Sequence, residues 1–529
     1  MTIVQAEFYD RDRYDVAESI LEKHRSTAED VVSREEYGHL IGGEWVVSEG
    51  GETGEAIDAT TGETLATVQV GTPADVDRAV EAARESFEGS WGQTTPRQRA
   101  EALEEIADRI EDRKTEIAKL DSLEVGKPNM HALFVDCEVL VEQFRHFAAL
   151  ARTAAAGRVV PTGGDKHVYT RREPYGVVGA ISAWNFPAMF VAWKLGPALA
   201  CGNAVVFKPS ERAVLSSLEV IRVCDRVLPP GTVNVVTGVG DVVGEAMTSH
   251  EGIDKVSLTG SRESGVKTLR NAAETITPTS LELGGKSPNI VCADADIERA
   301  IEGTLVSIFF NSGQQCTAGS RLFLHEEIRE EFLETLGERI DELGVGDPLS
   351  PMTDVGPMID HVHQERVESY VENAISDGAT VLGGSNGEAE DGSAFGSTNA
   401  DLAGAPFVAP TVLTEVEDDA TVACEEVFGP VLAVFEWSDS DDVVRRANDT
   451  EYGLAAGVWT ADLERAHEMA ADLEAGTVWI NTYNDLLDPA PHGGYKESGL
   501  GRELAVEALE DYSQVKSVKV NLGDVPKFG

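Results

Sequence analysis

One cysteine of this chain lies among small polar residues. Cys316 stands in the stretch NSGQQCTAGS, residues 311–320, directly after the apolar run SIFF. A buried structural thiol would normally have apolar neighbours, whereas Gln315 and Thr317 flank Cys316. A thiol acts as a nucleophile when a nearby group lowers its pKa or removes its proton. We therefore interpret Cys316 as a candidate nucleophile whose partners must come from other parts of the chain.

Two other motifs contain groups that could assist a thiolate. Glu282 ends an apolar strand-like segment in LELGGKSPN, where a charge is costly unless it serves chemistry or pairs with the nearby Lys286. Asn185 in AWNFP lies at a predicted strand-to-helix junction, and its amide could donate to an oxyanion. Three aromatic residues nearby could line an apolar tunnel or simply belong to the core: Trp184, Phe186 and Trp193.

Two glycine-containing turns each follow a predicted strand and precede a predicted helix. The first, in VNVVTGVGDVVGEAM, contains Gly238, Gly240 and Gly244, and the second, in LTGSRESG, contains Gly260, Ser261 and Gly265. Glycines permit a tight turn close to a phosphate, and a helix N-terminus attracts negative charge. Two such turns on consecutive strand–helix units favour a nucleotide cofactor.

A third strand end supplies charged side chains to the same edge of the predicted sheet. The motif KPSE places Lys208 after a strand, with Glu211 in reach of ribose hydroxyls. Its alternative is a plain strand end followed by a helix cap at Ser210. The pair His361 and His363 in HVH is predicted to lie on an exposed, charged helix, and no metal site is expected.

The elements that position these residues follow from the pattern of apolar runs. Residues 75–155 are predicted to be helical, and from Tyr175 onward short β-branched runs alternate with helices. A second alternating series runs from about residue 289 to residue 481. Such alternation predicts parallel strands joined by crossovers, which means an α/β fold with doubly wound sheets. A Gly/Ser/Asp-rich stretch, residues 383–405, is predicted to be a surface insertion.

Composition limits the class of protein. The chain has 529 residues, with 93 acidic against 43 basic side chains and a formal net charge of −50. Without a basic patch, nucleic acid is disfavoured as a partner. The spread of acidic residues suits a protein from a salt-adapted source. We expect a cytoplasmic protein with no membrane partner, because a signal-peptide pattern, an apolar run of about 18 residues and a CxxC pair are all missing.

Taken in chain order, seven motifs resemble those of the NAD(P)-dependent aldehyde dehydrogenase superfamily: AWNFP, KPSE, LTGS, LELGGKSPN, FNSGQQCTAGSR, EEVFGPV and HGGYKESGLGRE. The resemblance extends over roughly residues 40–522. It implies that Cys316 attacks the aldehyde, that Asn185 and the Cys316 amide hold the oxyanion, and that Glu282 activates the water that hydrolyses the thioester. Lys194 and Glu503 match residues of a proton relay.

The resemblance also assigns cofactor contacts. It implies that Glu426 binds the nicotinamide ribose, that Phe428 packs on the nicotinamide, and that Lys208 and Glu211 bind the adenosine ribose. Gly260 and Ser261 match the pyrophosphate turn. The full predicted set is Trp184, Lys208, Glu211, Gly240, Gly244, Gly260, Ser261, Gly265, Leu283, Glu426 and Phe428. A carboxylate near the ribose 2′ position favours NAD, with NADP as the alternative.

The same resemblance implies an architecture of two doubly wound parallel-sheet domains and a small β oligomerisation element. The NAD-binding domain would comprise residues 38–157 and 175–282, and the catalytic domain residues 283–510. Residues 158–174 and 511–529 would form the oligomerisation element, and residues 1–37 an N-terminal extension. Exposed strands pair between subunits in this family, which predicts a homodimer or homotetramer.

The substrate is open at this stage. The C-terminal motifs look similar to those of betaine-aldehyde and aminoaldehyde dehydrogenases, and Trp193 and Tyr483 could hold a cationic headgroup or any apolar aldehyde. His492 stands where a Phe is common beside the tunnel, and Arg262 stands where many relatives have a small residue. Arg262 could contact a cofactor phosphate or point to solvent. The predicted tunnel comprises Phe186, Trp193, Tyr483 and His492.

Three alternatives remain at the level of sequence. A CoA-acylating semialdehyde dehydrogenase generally lacks the general-base Glu, so Glu282 weighs against it. A cysteine hydrolase would need a recognisable Cys–His motif and would not need two cofactor turns. A catalytically silent relative would not need Cys316, Glu282 and Asn185 together.

Overall fold

The alternating apolar runs form strands that are separated by helices. The structure is a computed structural model that describes residues 11–153, 156–382, 401–485 and 490–525. Its strands are β1 (Asp15–Val16), β2 (Glu36–Tyr37), β3 (His39–Ile41), β4 (Glu44–Val46), β5 (Thr53–Ile57), β6 (Thr64–Gln69), β7 (Val159–Val160), β8 (Lys166–Pro174), β9 (Val177–Ile181), β10 (Ala204–Lys208), β11 (Val233–Val235), β12 (Lys255–Thr259), β13 (Thr279–Glu282), β14 (Pro288–Val291), β15 (Arg321–His325), β16 (Thr380–Val381), β17 (Leu402–Ala403), β18 (Thr411–Thr414), β19 (Val431–Trp437), β20 (Ala455–Trp459), β21 (Thr477–Ile480), β22 (Gly499–Leu500) and β23 (Ser513–Asn521).

The helices are α1 (Glu18–Val31), α2 (Pro73–Glu88), α3 (Pro96–Glu111), α4 (Lys114–Val125), α5 (Asn129–His131), α6 (Cys137–Thr153), α7 (Pro187–Cys201), α8 (Leu215–Asp225), α9 (Glu245–Thr248), α10 (Arg262–Thr275), α11 (Ile297–Phe309), α12 (Arg329–Asp341), α13 (His361–Ser376), α14 (Thr421–Cys424), α15 (Ser440–Asn448), α16 (Leu463–Asp472) and α17 (Ala505–Asp511). Short helical turns of the 3-10 or π type cover Arg11–Arg13, Ala132–Asp136, Gly240–Gly244, Phe310–Gly313 and Lys496–Ser498.

The first large sheet has the strand order β22-β13-β12-β9-β10-β11-β3-β4. Strands β13 to β11 in this order are parallel, and antiparallel strands follow on both sides. Every residue of β9 and β10 is buried, as expected for parallel strands covered by helices on both faces. From β9 the chain first builds toward β11 and then returns to place β12 on the other side of β9. Such a reversal creates a crevice at the carboxyl ends of the strands, where ligands bind.

The second large sheet has the order β16-β18-β19-β15-β14-β20-β21, and its pairs are parallel except for the β16–β18 edge. Apolar side chains of α11, α12 and the strands fill its core, among them Ile308, Leu322 and Phe332. The segment that contains Cys316 connects α11 to β15, so this sheet fixes its position. The predicted α/β class with two doubly wound, largely parallel sheets is confirmed.

Three smaller sheets complete the described fold. Strands β7, β8 and β23 form an antiparallel sheet in which β8 and β23 pair along nine residues each. Val515 and Val520 on β23 are exposed. These strands come from the stretches predicted to form the oligomerisation element, a role that stays a prediction. The sheet β2-β6-β5 and the pair β1-β17 were not predicted.

The N-terminal segment packs onto both large units. Helix α1 packs against α4, and β1 pairs with β17 at the end of the predicted insertion, of which residues 383–400 lie outside the described residues. His24 on α1 lies between two carboxylates, with Nδ1 2.7 Å from Asp58 and Nε2 3.1 Å from Asp347. The residues predicted as an extension are therefore connected to both the first and the second half of the chain.

The predicted domain borders stay predictions, and one strand pairing joins two of the predicted segments. Strand β22, within residues 283–510, pairs with β13 and so adds an edge strand to the first sheet. None of the helices in the described ranges is long and apolar enough to span a membrane.

Candidate active site

A cavity of about 340 Å³ opens at the carboxyl ends of β9, β10, β12 and β13. Fourteen predicted site residues line it: Trp184, Asn185, Trp193, Lys208, Glu211, Gly240, Gly260, Ser261, Glu282, Leu283, Cys316, Glu426, Phe428 and His492. The candidate nucleophile, general base and oxyanion donor therefore share a single cavity with the candidate cofactor residues.

The segment before Cys316 is held in a strained conformation. Asn311 and Ser312 both adopt left-handed backbone angles, with φ of 50° and 56°. Such angles cost roughly 1–2 kcal/mol per residue in chains of L-amino acids. The Asn311 amide donates to the carbonyls of Asn185 (3.1 Å) and Gln314 (3.0 Å), and the Ser312 hydroxyl donates to the Gly356 carbonyl at 3.0 Å. These buried hydrogen bonds fix the loop that presents the thiol.

Close contact with the backbone of another segment also restrains residues 310–320, the loop that contains Cys316 and is called the nucleophile loop below. A Cβ atom on Gly285 would lie 2.5 Å from the Cys316 carbonyl oxygen, so only glycine fits there. The Asn185 side-chain amide donates one N–H to the Gln314 carbonyl at 3.0 Å. Because a primary amide has two N–H groups, the second is left for an oxyanion at Cys316. Burial, with the charges of Glu426 and Glu282, raises the pKa of Cys316 to about 12. The resting residue is therefore a thiol that needs a base.

Glu282 is the candidate for that base. It ends β13 and is buried, and neither of its carboxyl oxygens has a hydrogen-bond partner within the described residues. Burial, with the charge of Glu503, raises its pKa well above the ordinary value. An ion pair with Lys286, the alternative open from the sequence, is not formed within these same ranges. The imidazole of His492 is close by, with Nε2 3.9 Å from Oε2 of Glu282.

Lys194 and Glu503 form a buried ion pair beneath the cavity lining. The Lys194 ammonium also donates to the Ser257 hydroxyl at 3.0 Å, which in turn donates to Glu503 at 3.2 Å. Neither charged residue lines the cavity itself. The backbone of Glu503 pairs with that of His492 through two hydrogen bonds of 2.8 Å, so this pair is connected to the wall of the cavity.

The end of the cavity that is predicted to bind adenosine contains an ion pair and the start of a helix. The Lys208 ammonium donates to Glu211 at 3.0 Å, and although burial opposes the shift, this ammonium lowers the pKa of Glu211. Ser261 caps α10 by accepting from the Ser264 amide at 3.2 Å. The N-terminus of this 14-residue helix therefore faces the cavity and favours an anion. Arg262 does not point into the cavity, because its guanidinium pairs with Glu497 on the surface.

At the other end, Glu426 and Phe428 face the region of Cys316. Glu426 accepts a hydrogen bond from the Gly285 amide at 3.0 Å, and burial raises its pKa to about 7. Phe428 has a left-handed backbone with φ of 62°, and its carbonyl accepts from Nε2 of His363 at 2.7 Å. The ring of Trp184 packs edge-on against Phe428 at 5.3 Å.

The amino-acid sequence of this chain matches that of a known protein family. The model of the aldehyde dehydrogenase family matches residues 45–518. The chain belongs to the aldehyde dehydrogenase family. The predictions of this family and of an enzyme that oxidises aldehydes are confirmed.

Individual aldehyde dehydrogenases resemble the chain over nearly its whole length. The betaine aldehyde dehydrogenase of Brucella anthropi is 42% identical over 488 residues, which cover 92% of this chain and 98% of that protein. An NAD+ complex of an aldehyde dehydrogenase from Bacillus cereus is 42% identical, with a TM-score of 0.88 and coverage of 94% and 98%. The betaine aldehyde dehydrogenase of Staphylococcus aureus, also solved with NAD+, has a TM-score of 0.89 at 35% identity, covering 95% of this chain and 98% of that one.

Four predicted contact residues of this aldehyde dehydrogenase do not line the cavity. The Tyr483 hydroxyl donates to the Thr317 carbonyl at 3.0 Å, so its ring supports the nucleophile loop from below. Phe186 packs in a cluster behind the wall, where Lys127 Nζ lies 3.9 Å from its ring centroid. Gly265 and Gly244 lie beside the lining, and a Cβ on Gly265 would be 2.7 Å from Leu283.

The lining residues missed from the sequence include three basic side chains: Arg212, His363 and Arg366. The prediction of an exposed position for His361 and His363 is wrong, because both are buried. Helical spacing could have indicated this, since Val367, Tyr370 and Ala374 follow His363 at intervals of four, three and four residues and form the buried face of α13. Phe190 is a further lining residue that the tunnel prediction omitted.

Proposed function

We propose that this aldehyde dehydrogenase oxidises an aldehyde to the carboxylic acid through a covalent bond to Cys316, with NAD as the hydride acceptor. The observation that supports this most strongly is the single cavity at the carboxyl ends of the parallel strands. Cys316, Glu282 and Asn185 meet there, and the ion pair of Lys208 and Glu211 lies on the same lining. A hydrolase would not need the second half of this cavity.

The residues present fit NAD. Glu211 and Lys208 would hold the adenosine ribose, the start of α10 at Ser261 the pyrophosphate, and Glu426 and Phe428 the nicotinamide riboside. When bound, NAD+ supplies the acceptor for the hydride that leaves the substrate carbon. The depressed pKa of Glu211 keeps a negative charge near the ribose, and such a charge would repel the 2′-phosphate of NADP. Relatives solved with NAD+ support the same choice.

The chain's own groups divide the chemistry between them. Glu282 as carboxylate removes the proton of the Cys316 thiol, whose sulfur bonds to the aldehyde carbon. The second amide N–H of Asn185 and the backbone N–H of Cys316 hold the resulting oxyanion. After loss of hydride the carbon is a thioester. Glu282 releases the proton taken from the thiol to solvent and is again a carboxylate. It then removes a proton from water, the water oxygen bonds to the carbon, the carbon–sulfur bond breaks, and the leaving thiolate of Cys316 takes up that proton.

A cationic aldehyde is a second, narrower candidate substrate. The indole of Trp193 lines the cavity and could hold a quaternary ammonium by cation–π contact. Two relatives named betaine aldehyde dehydrogenase support this candidate. Tyr483 contributes no surface to such a site, because it lies beneath the nucleophile loop.

Exposed strands, the net charge and the free cysteines support proposals about the assembly and the habitat of the protein. We infer a homodimer or homotetramer from the long, exposed strand β23, which lies at the edge of its sheet and could pair with another copy. The domain borders predicted above are proposed in the same sense. A net charge of −50 supports a salt-adapted source, and free cysteines without disulfides support a cytoplasmic location.

The test is NADH formation at high salt with aliphatic, semialdehyde and cationic aldehydes, using NAD and then NADP. Cys316→Ala should lose turnover by at least about 10³-fold. Glu282→Gln should give at most one burst of NADH per active site, because the thioester is not hydrolysed. Undiminished turnover in Cys316→Ala would overturn the covalent mechanism. Acceleration by added CoA, with an acyl-CoA product, would favour the acylating alternative.

A further inference from the structure

Helix α13 begins beside the nucleophile loop. The amide of Ile359, two residues before the helix, donates to the side-chain carbonyl of Gln314 in that loop at 3.0 Å. The Ser312 hydroxyl, in the same loop, donates to the Gly356 carbonyl at 3.0 Å. Cys316 follows Gln314 by two positions. The start of α13 is therefore attached to the loop that presents the thiol.

One face of α13 also binds residues 425–430, called the cofactor segment below because it contains two of the predicted cofactor contacts. Nε2 of His363 donates to the Phe428 carbonyl at 2.7 Å. Two turns further along the helix, the Tyr370 hydroxyl donates to the Glu425 carboxylate at 2.7 Å. The helix thus connects the nucleophile loop to the cofactor segment, and the relative position of the two depends on it.

The hydrogen bond from His363 acts on the residue of the cofactor segment whose backbone is strained. Phe428 has a left-handed conformation with φ of 62°, which is costly for a residue with a side chain. Because a carbonyl oxygen can only accept, Nε2 of His363 carries the hydrogen. Burial, with the charge of Arg212, lowers the pKa of His363 to about 3, so the imidazole is neutral at the pH values at which enzymes are assayed. A neutral, buried donor therefore holds Phe428 in place.

The same imidazole contacts the aromatic rings at this end of the cavity. It lies edge-on to the ring of Trp184 at 5.4 Å and to that of Phe428 at 6.0 Å, and the latter two rings are 5.3 Å apart. The guanidinium of Arg212 lies 4.9 Å from the centre of the Trp184 ring, and its Nε donates to Asp360, the N-cap of α13, at 2.9 Å. The first turn of α13 therefore restrains both Trp184 and Phe428, which line the cavity.

Resting on the proposed function, in which Phe428 packs on the nicotinamide, we propose that His363 is a positioning residue for hydride transfer. By donating to the Phe428 carbonyl, His363 holds this ring at the distance from Cys316 that α13 sets, and so fixes the place at which the nicotinamide binds. In this role His363 forms no bond with the substrate and exchanges no proton. Without the donor, Phe428 would relax from its left-handed conformation and the nicotinamide would be held less firmly.

The experiment compares wild type with His363→Gln and His363→Met. The Gln and Met side chains are similar in length and volume, but only Gln has an N–H that can donate to the Phe428 carbonyl. His361→Met is the matched control. His361 is also buried in the first turn of α13, and its Nε2 also donates to a carbonyl, that of Gly404 at 2.9 Å, but neither residue lines the cavity.

The measurements are the dissociation constant of NAD, both KM values and the rate of NADH formation in the first turnover, with an aldehyde that the wild type oxidises. In His363→Met we expect the dissociation constant of NAD to rise about five- to tenfold, because one hydrogen bond is lost. The first-turnover rate should fall about tenfold or more, because the nicotinamide is less well placed for the hydride. His363→Gln should keep most of the wild-type values.

Three further readouts separate positioning from general damage to the fold. The KM for aldehyde and the rate of inactivation by iodoacetamide without NAD should change little in His363→Met, because the thiol itself is not displaced. The ratio of the first-turnover rates of this variant and the wild type should be the same at pH 6 and pH 9, since His363 is neutral at both.

Equal defects in His363→Gln and His363→Met would show that the donated hydrogen bond is not the cause, and would overturn the inference. The same loss of NAD affinity in His361→Met, or wild-type values in His363→Met, would also overturn it. In each case NADH formation by the wild type that depends on Cys316 leaves the proposed function intact, whereas its absence would overturn both. Thermal unfolding without NAD identifies a variant that has not folded, and His363→Leu then replaces the Met variant.

Discussion

Two buried histidines face carboxyl groups in this aldehyde dehydrogenase, and their surroundings give them opposite charge states. His24, where α1 meets the rest of the chain, has a carboxylate at each ring nitrogen, Asp58 at 2.7 Å and Asp347 at 3.1 Å. Although burial opposes it, these carboxylates raise the pKa of His24 to about 9. His492, in the cavity, faces one carboxyl group at 3.9 Å, and its pKa is lowered to about 4.

The difference shows how the surroundings of a buried histidine determine its charge. Two hydrogen bonds to ionised groups fix His24 as an imidazolium with no freedom to exchange its proton. At 3.9 Å the Glu282 carboxyl group makes no hydrogen bond with His492, and neither of its oxygens has another partner in the described residues. A buried carboxyl group that lines a cavity without hydrogen-bond partners is a candidate for chemistry, because perturbed carboxyl groups cluster at functional sites.

The largest expected effect comes from replacing Glu282 by an apolar residue of similar size. Glu282→Leu should lower kcat by about 10²- to 10⁴-fold, because the general base is lost. It should also raise the free energy of unfolding by about 1 kcal/mol, since a buried carboxyl group without hydrogen bonds is removed. Steady-state kinetics and urea unfolding measure the two. A clear loss of stability would show that Glu282 contributes to the fold and would remove the contrast with His24.

The same replacement at His24 should have the opposite outcome. His24→Leu leaves Asp58 and Asp347 buried without their shared partner, which should lower the free energy of unfolding by about 3 kcal/mol. Activity of the folded fraction should be unchanged, because His24 does not line the cavity. Urea unfolding and kcat per folded active site measure this. Loss of kcat in fully folded protein would mean that the N-terminal helix also positions the catalytic residues.

The pH dependence of stability sharpens the comparison further. The pKa of His24 is about 9 when folded and 6.5 in its ordinary state, so its contribution is fully present below pH 6.5 and is lost as the pH rises through 9. Between these values the free energy of unfolding should fall by up to about 3 kcal/mol. The same fall should be missing in His24→Leu, while His467→Gln, an exposed histidine, should keep it. An identical pH profile for wild type and His24→Leu would show that the imidazolium adds no stability.

The candidate catalytic residues could be selected from the sequence because the proposed chemistry restricts residue type within short motifs. Cys316 among polar residues and Glu282 in an apolar strand both contradict their local surroundings, and the structure places both on the cavity. The direction of a side chain was harder to predict. Tyr483 and Trp193 are both aromatic residues close to motifs, yet only Trp193 reaches the lining, because the loop geometry turns Tyr483 toward the Thr317 carbonyl.

Contacts between distant parts of the chain could not be predicted from the sequence. The partners of His24 lie 34 and 323 positions away, and no local pattern joins an N-terminal helix to Asp347. Residues 1–37 were therefore interpreted as an extension without a role. The orientation of α13 likewise depends on tertiary packing, although its apolar spacing contained enough information to place His363 on the buried face.

The smallest expected effect concerns Arg25, the residue next to His24 on α1. Its guanidinium pairs with Glu63 at 2.6 Å and with Glu18 at 3.0 Å on the surface. Because water and salt screen exposed ion pairs, Arg25→Gln should leave the urea midpoint at high salt within experimental error. At low salt a small decrease is the most that we expect. A loss comparable to that of His24→Leu would show that the surface pairs, and not the buried imidazolium, hold α1 in place.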